Sequence, residues 1–287
     1  MYPIVRIEPT TQGRERSTAL WRNALDKYAA DPQLGILYEE DFTKPHVGVI
    51  ATTTDGWCFT EDGVAGATSE LFYTTGAAGG VASLAATAGA DYRGVKIQAG
   101  SLIAGATGEG ITLPTATTDS KSECIFECRV KLDISAGGND TLFAGLAEHT
   151  ATVKTLGAAS ALPDDSDYIG FYRVDAGDLQ FVVRNDNAGG TAVEYNVDVL
   201  AAATIAASYE DVWVKLGFRV NADSSVEIYI DGAKVTKETA GSTKIAVTTT
   251  SLPEEALCRT VSVGRGATAD NATVGVLIDR IDCYVSE

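Results

Sequence analysis

The amino-acid sequence predicts an all-β fold, a sandwich of two antiparallel sheets preceded by an arm and a short helix. Residues 211–235, DVWVKLGFRVNADSSVEIYIDGAKV, alternate with period two: Val212, Val214, Leu216, Phe218 and Val220 fall on one face, Trp213, Lys215 and Arg219 on the other. After residues 221–225 the alternation resumes, with Val226, Ile228 and Ile230 inward and Glu227 and Tyr229 outward. Asp231-Gly232 then supplies residues that tolerate the positive φ of a tight type I′ hairpin turn. Consecutive antiparallel strands with one dry face each need a second sheet to cover them. The composition agrees, because 29 glycines and 45% hydrophobic residues, many of them Ala, suit tight turns and close sheet packing better than long helices.

Along the chain, residues 1–33 read as one unit and residues 34–287 as the sandwich. Pro3 and Pro9 keep residues 1–12 extended, and Ile4, Val5 and Ile7 offer apolar contacts. Residues 14–30 predict a helix, since Leu20, Trp21, Ala24, Leu25 and Tyr28 form one apolar stripe that Asp31-Pro32 ends. Two readings of that stripe stand side by side. It either packs on its own sandwich or docks on a partner, and both bury Trp21.

Strands follow at residues 34–42, 57–59, 70–73 and 92–98. Residues 99–122, with four glycines and Pro114, read as an exposed excursion. Residues 123–132 (ECIFECRVKL) alternate cleanly, with Cys124, Phe126, Cys128, Val130 and Leu132 on one face. Strands at 141–147, 168–173, 179–184 and 192–197 continue the meander, and 201–207 predict a helical turn. Residues 259–264 and 275–285 close the sheets. In the last, Val276, Ile278, Arg280, Asp282 and Tyr284 alternate with Leu277, Asp279, Ile281, Cys283 and Val285.

Charge and cysteines bound the function. The formal net charge is −17, yet residues 1–45 hold six basic and seven acidic side chains against 16 and 32 in the remainder. So acidic a body repels nucleic acid and anionic membrane, so neither is expected as a partner. The near-neutral leading segment, with Arg14, Arg16 and Arg22 close together, suggests a separate job. Its opening, MYPIVRIEPTTQGRER, lacks the basic-then-apolar order of a secretory signal, so a soluble protein made in a cytoplasm is expected. The five cysteines are an odd set. Cys124 and Cys128 would lie roughly 13 Å apart on one strand at ~3.3 Å per residue, too far to bridge. Reduced cysteines acting as small core residues are expected.

Four elements recur in a telling order: YEEDF, ECRVKL, the pair VWVKLGFRV…VEIYIDGAKV, and a closing VSVG…IDRIDCYV. This order resembles the concanavalin A-like lectin/glucanase superfamily, especially its laminin-G-like branch, over residues 35–287. That branch ends with a Trp strand, a YxDG hairpin and a last strand carrying an Asp, matched here by Trp213, Tyr229-Ile230-Asp231-Gly232 and Asp279. The resemblance implies an all-β, two-sheet antiparallel jelly-roll sandwich. It implies no single activity, because this fold hosts lectins, glycosidases, adhesion modules and virion proteins.

Each activity can be tested on the residues. Glucanases of this fold use an E-x-D-x-x-E strand whose outer carboxylates serve as nucleophile and acid/base. The nearest match is Glu39-Glu40-Asp41-Phe42-Thr43-Lys44, where Lys44 replaces the second carboxylate and the segment lies on the opening strand. Only His46 and His149 exist, with no G-x-S-x-G elbow and no Walker or dinucleotide motif. No catalytic residue is legible, and no cofactor is implied. Asp164, Asp165 and Asp167 cluster oxygen ligands as a calcium loop would, but without EF-hand spacing they read as a solvated acidic turn. A glycan site would need stacking aromatics on the concave face, for which Trp57, Tyr168, Tyr172 and Tyr195 are candidates.

An acidic jelly roll with an odd cysteine count, led by an arm and a helix, is similar to bacteriophage virion proteins of laminin-G-like fold. That likeness implies a non-enzymatic capsid decoration (cement) or head-fibre protein, assembled in the host cytoplasm and residing in the virion. Its partner would be the capsid, another virion protein or a neighbouring copy, with a homo-oligomer, preferably a trimer, multiplying weak contacts. Ile4, Val5, Ile7, Arg14, Arg16, Trp21, Arg22 and Leu25 would dock. The alternative is a lectin-like receptor-recognition module on a phage tail or cell surface.

Overall fold

A computed structural model describes residues 15–21, 24–31, 35–42, 57–62, 70–73, 81–86, 93–101, 107–108, 110–114, 122–133, 140–149, 166–174, 177–186, 193–209, 212–235, 252–265 and 274–286. In chain order the elements open with helices α1 (Thr18–Trp21) and α2 (Ala24–Ala30). Strands β1 (Gly35–Glu40), β2 (Trp57–Asp62), β3 (Glu70–Tyr73), β4 (Ala82–Ala86), β5 (Arg93–Ser101) and β6 (Thr107–Gly108) follow. Next come β7 (Cys124–Asp133), β8 (Asp140–Glu148), β9 (Tyr168–Val174), β10 (Leu179–Asn185) and β11 (Val193–Leu200). Helix α3 (Ala202–Ser208) precedes β12 (Trp213–Val220), β13 (Val226–Ile230), β14 (Ala233–Lys234), β15 (Leu257–Arg265) and β16 (Val274–Ser286). No helix among the described residues is long and apolar enough to cross a membrane.

The strands form two antiparallel sheets. The first runs β14-β13-β12-β7-β16-β4-β3, with β1 also paired to β16. The second runs β11-β10-β9-β8-β15-β5-β2, with β6 paired to β5. The expected two-sheet antiparallel sandwich is what the chain forms.

Four phenylalanines hold the layers together. Phe126 and Phe218 face each other across β7 and β12, stacked at 5.2 Å between centroids. From the second sheet, Phe181 meets Phe218 edge-on at 5.4 Å and Phe171 at 5.3 Å. All four are fully buried, and such aromatic pairs add to the stabilisation from apolar burial alone. The remaining core comes from alternate positions of the strands: Val214, Leu216 and Val220 on β12, Leu142, Ala144 and Leu146 on β8, Val261 and Val263 on β15.

The structure departs from the sequence reading in several places. The predicted helix over 14–30 is α1 followed by α2, beginning at Thr18. Val212, expected inside, precedes β12 and is 48% exposed. Within residues 99–122, Ile111 and Leu113 are buried core residues, and Ile111 exchanges backbone hydrogen bonds with Leu257 at 2.8 Å, so part of the expected excursion belongs to the sandwich. Strand β4 is unforeseen, because Ala and Ser carry little β preference. Its inward residues Ala82 and Leu84 are set by pairing with Ile278 and Val276 of β16. Strict alternation also fails in β16. A bulge between Ile278 and Arg280 resets the period, so Ile278 and then Ile281 and Cys283 all enter the core.

Other expectations are met. Asp231 and Gly232 have φ of 49° and 76°, the paired positive values of the predicted hairpin turn. Cys124, Cys128, Cys258 and Cys283 are reduced and buried, and burial pushes the Cys128 thiol well up, which keeps it protonated. Truncating Phe218→Ala should destabilise the sandwich by about 3–5 kcal/mol in urea unfolding, and a loss under about 1 kcal/mol would show that the aromatic cluster is not the tie between the sheets.

Candidate functional site

The outer face of the first sheet carries the richest chemistry. Register places Asp282 of β16 opposite both Glu127 of β7 and Glu39 of β1. Arg129 and Lys215 stand outward beside them, opposite each other on β7 and β12. Residues 15–21 and 24–30 lie over this face. Leu20, Trp21 and Ala24 pack on Ile125, Tyr229 and Tyr284, with Leu25, Tyr28 and Leu37 at the margin. Tyr28 meets Tyr284 edge-on at 6.4 Å. Gly217 makes room for the close approach, since a Cβ there would stand 2.4 Å from Leu20 Cδ2.

Polar groups fix the same contact. The Ser17 N–H donates to both Glu127 oxygens at 3.2 Å. Arg16 Nε donates to Asp282 at 3.0 Å, and its other arm pairs with Glu39. The same guanidinium lies 4.9 Å over the Trp21 ring, and Arg280 also pairs with Asp282. Lys215 Nζ donates to the Glu15 carbonyl at 2.6 Å. Glu127 and Asp282 are 4% and 1% exposed. Burial, and then the neighbouring Asp282, push the Glu127 carboxyl above the usual carboxylate range.

These contacts correct the docking expectation at three residues. Trp21 is 2% exposed in its own monomer, Arg16 is spent on Asp282, Glu39 and Trp21, and Leu25 is half-buried beside them. The apolar stripe stays in cis because the sheet beneath it presents matching apolar side chains and a carboxylate for the arginine. Ile4, Val5, Ile7, Arg14 and Arg22 lie outside the described residues.

The outer face of the second sheet carries polar and aromatic side chains that are themselves buried, Lys96, Gln98, Phe143 and Thr260 among them. One cross-strand row runs Lys96–Ser262–Phe143–Tyr172–Gln180. The next runs Gln98–Thr260–Gly145–Gly170–Val182. Phe143 meets Tyr168 edge-on at 6.0 Å, and Gln98 Nε2 donates to Thr260 Oγ1 and to the Glu148 carbonyl, each at 3.0 Å. Both nitrogens of His149 and the Thr141 and Ser262 hydroxyls are buried without a hydrogen-bond partner. Burial, and then the charge of Lys96, hold His149 below its ordinary value, so it is neutral at pH 7.

The glycan candidates divide over this framework. Tyr168 and Tyr172 share this face but are 3% and 6% exposed. Trp57 belongs to the core between the sheets, donating to Glu40 at 2.9 Å beneath the Arg259 guanidinium. Tyr195 stands opposite Val183 in the register of β11 with β10. Trp57 is therefore structural, because its indole needed both an apolar enclosure and an acceptor.

The acidic candidates are also accounted for. Asp167, expected in a solvated turn or a calcium loop, is 2% exposed and accepts the backbone N–H groups of Asp186, Glu254 and Glu255 at 2.5, 3.0 and 3.1 Å. It joins separate loops, and those donors occupy the oxygens a cation would use. Asp164 and Asp165 lie outside the described residues. Among the described residues, no three His, Cys, Asp or Glu side chains converge as a metal site. In the near-match to the glucanase strand, Glu39 holds Arg16, and Glu40 accepts from Trp57 and from the Phe42 N–H. The residues behind the laminin-G-like resemblance are structural too. Arg129 lies 4.6 Å over Trp213 and pairs with Asp279, while Asp231 accepts the Lys215 N–H at 2.9 Å.

No protein-family model and no curated protein matches the chain. Solved structures do. A protein of unknown function from Shewanella oneidensis is 12% identical, covering 96% of this chain and 97% of its own, with a TM-score of 0.52. The fold is shared. Also similar are the carbohydrate recognition domain of Emp47p and an endo-1,3-beta-glucanase from Streptomyces sioyaensis. The first is 11% identical, covering 88% of this chain and 97% of its own, at a TM-score of 0.48. The second is 10% identical, covering 87% and 95%, at 0.44. At these identities the likeness is one of fold alone.

Filling the space under Leu20 gives a direct check on the docked segment. Gly217→Val should lift it at a cost of about 1–3 kcal/mol and speed tryptic cleavage within residues 15–30, while the far-ultraviolet spectrum stays that of the sandwich. Unchanged cleavage would mean that the close approach at Gly217 is not what seats the helix.

Proposed function

We propose that this protein is a non-enzymatic structural component of a bacteriophage virion, a capsid decoration or head-fibre protein. The observation that carries the reading is the strap formed by residues 15–21 and 24–30. It is fastened to the first sheet by Arg16, Ser17, Leu20 and Trp21, so the segment preceding it starts from a rigid anchor. In this reading Ile4, Val5, Ile7 and Arg14 make the contact with the capsid or a neighbouring copy, and the strap transmits the load to the sandwich. The net charge of −17 would keep densely arrayed copies from sticking to one another at random.

Removing residues 1–14 while keeping the strap is the informative deletion. Supplied to phage lacking the protein, that variant should fold with unchanged thermal stability yet be absent from purified particles. Incorporation at the level of the full chain would sink the docking role.

A carbohydrate-recognition reading is favoured by a separate observation, the aromatic pair Phe143–Tyr168 and Tyr172 beside buried hydroxyls of Thr141 and Ser262 that lack partners. A sugar supplies both an apolar face and hydroxyl partners. On a glycan array this reading expects micromolar binding that Tyr172→Ala weakens about tenfold or more. Binding indifferent to that substitution would place any glycan elsewhere.

A further inference from the structure

We propose that residues 15–21 and 24–30 form a proton-controlled latch: the strap grips the first sheet most tightly while the Glu127–Asp282 pair holds a proton, and loosens when both carboxylates are ionised. The geometry begins with register, which sets the two acids opposite each other on adjacent strands beneath the strap. Both are nearly inaccessible to water. Asp282 crowds its two guanidinium partners onto Oδ2, from Arg16 and Arg280, and leaves Oδ1 buried without a donor. A bare buried carboxylate oxygen is costly, and a proton there or on Glu127 removes one of two like charges from a dry contact. Ser17 Oγ, Trp21 Nε1 and Tyr284 OH are also buried without partners in this contact, so the polar network is incomplete as it stands.

The surrounding charges do not cancel this tendency. The strap contributes Arg16, β1 contributes Glu39, β12 Lys215, and β16 Arg280 and Tyr284. On β7, Arg129 is engaged by Asp279. On β13, Glu227 is engaged by Lys234 and by the Tyr229 hydroxyl. Three cations therefore face three acids, but the two arginines converge on Asp282 Oδ2 and Lys215 on the Glu15 carbonyl, so neither Glu127 nor Asp282 Oδ1 receives a cation. Burial pushes both carboxyls above the ordinary range, against the opposing pull of Arg280 and Arg16 on Asp282 and of Ser17 on Glu127. An acid with a raised value in the docked state takes up a proton on docking. Its contribution is complete below the ordinary carboxylate range and is lost as pH rises through the raised values.

Hydrogen–deuterium exchange of the strap amides in the full-length protein tests this, comparing about pH 5 with about pH 8 after correction for intrinsic rates. Protection should fall roughly tenfold for each unit by which the pair is raised, while amides of β8 in the second sheet stay constant. Glu127→Gln should flatten the strap's pH dependence. Equal protection at both pH values, or the same pH profile in the variant, would overturn the latch. Should the variant fail to fold, carboxyl carbon-13 titration of the wild-type protein decides. A pair titrating in the ordinary range overturns the proposal, and one titrating above it sustains it, whether or not the protein docks on a particle.

Discussion

Strand β7 lies between β12 and β16, and its alternation governs both sides of the first sheet. Phe126 points in and joins the aromatic cluster that ties the two layers. Glu127, the next residue, points out and takes the backbone of the strap. A slip of one residue would exchange them, placing a carboxylate among phenylalanines and an aromatic ring under Ser17. Such a slip is opposed from both directions, and the two neighbouring strands share that register.

The strap changes what the outer face is. A sheet of this kind commonly turns a polar surface to water. Here that surface is roofed by Leu20, Trp21 and Ala24, and Glu127 and Asp282 become buried partners of Ser17 and Arg16. Buried ion pairs contribute little net stability relative to apolar packing, but breaking one side leaves an uncompensated charge. Seating the strap in one orientation, with Arg16 reaching Asp282 and Trp21 under the same guanidinium, is the better account of why they are there.

The two outer faces divide the chemistry between them. The first holds the acids and arginines, sealed in cis. The second holds hydroxyl, amide and aromatic groups in cross-strand rows, with a glycine pair between them. Residues singled out in one dimension, for catalysis, for metal binding or for the laminin-G-like resemblance, prove to be tied into the scaffold. Glu40, Asp167, Trp213 and Asp279 each have a partner that explains their chemistry.

The sequence by itself determined the fold class and most strands, because period-two burial and Asp-Gly turn chemistry are local properties that a window of ten residues displays. It also showed that Trp21 is buried and that Cys124 and Cys128 share a core face. Only long-range contacts settle whose surface buries Trp21, that Asp282 meets Glu127, and that Asp167 ties its own loop to two others. Those pairings join residues far apart in the chain, and nothing local encodes register between them. The bulge in β16 and the alanine-rich β4 escaped for the same reason. Each takes its place from a neighbouring strand, and burial against that neighbour outweighs the intrinsic preference of the residues themselves.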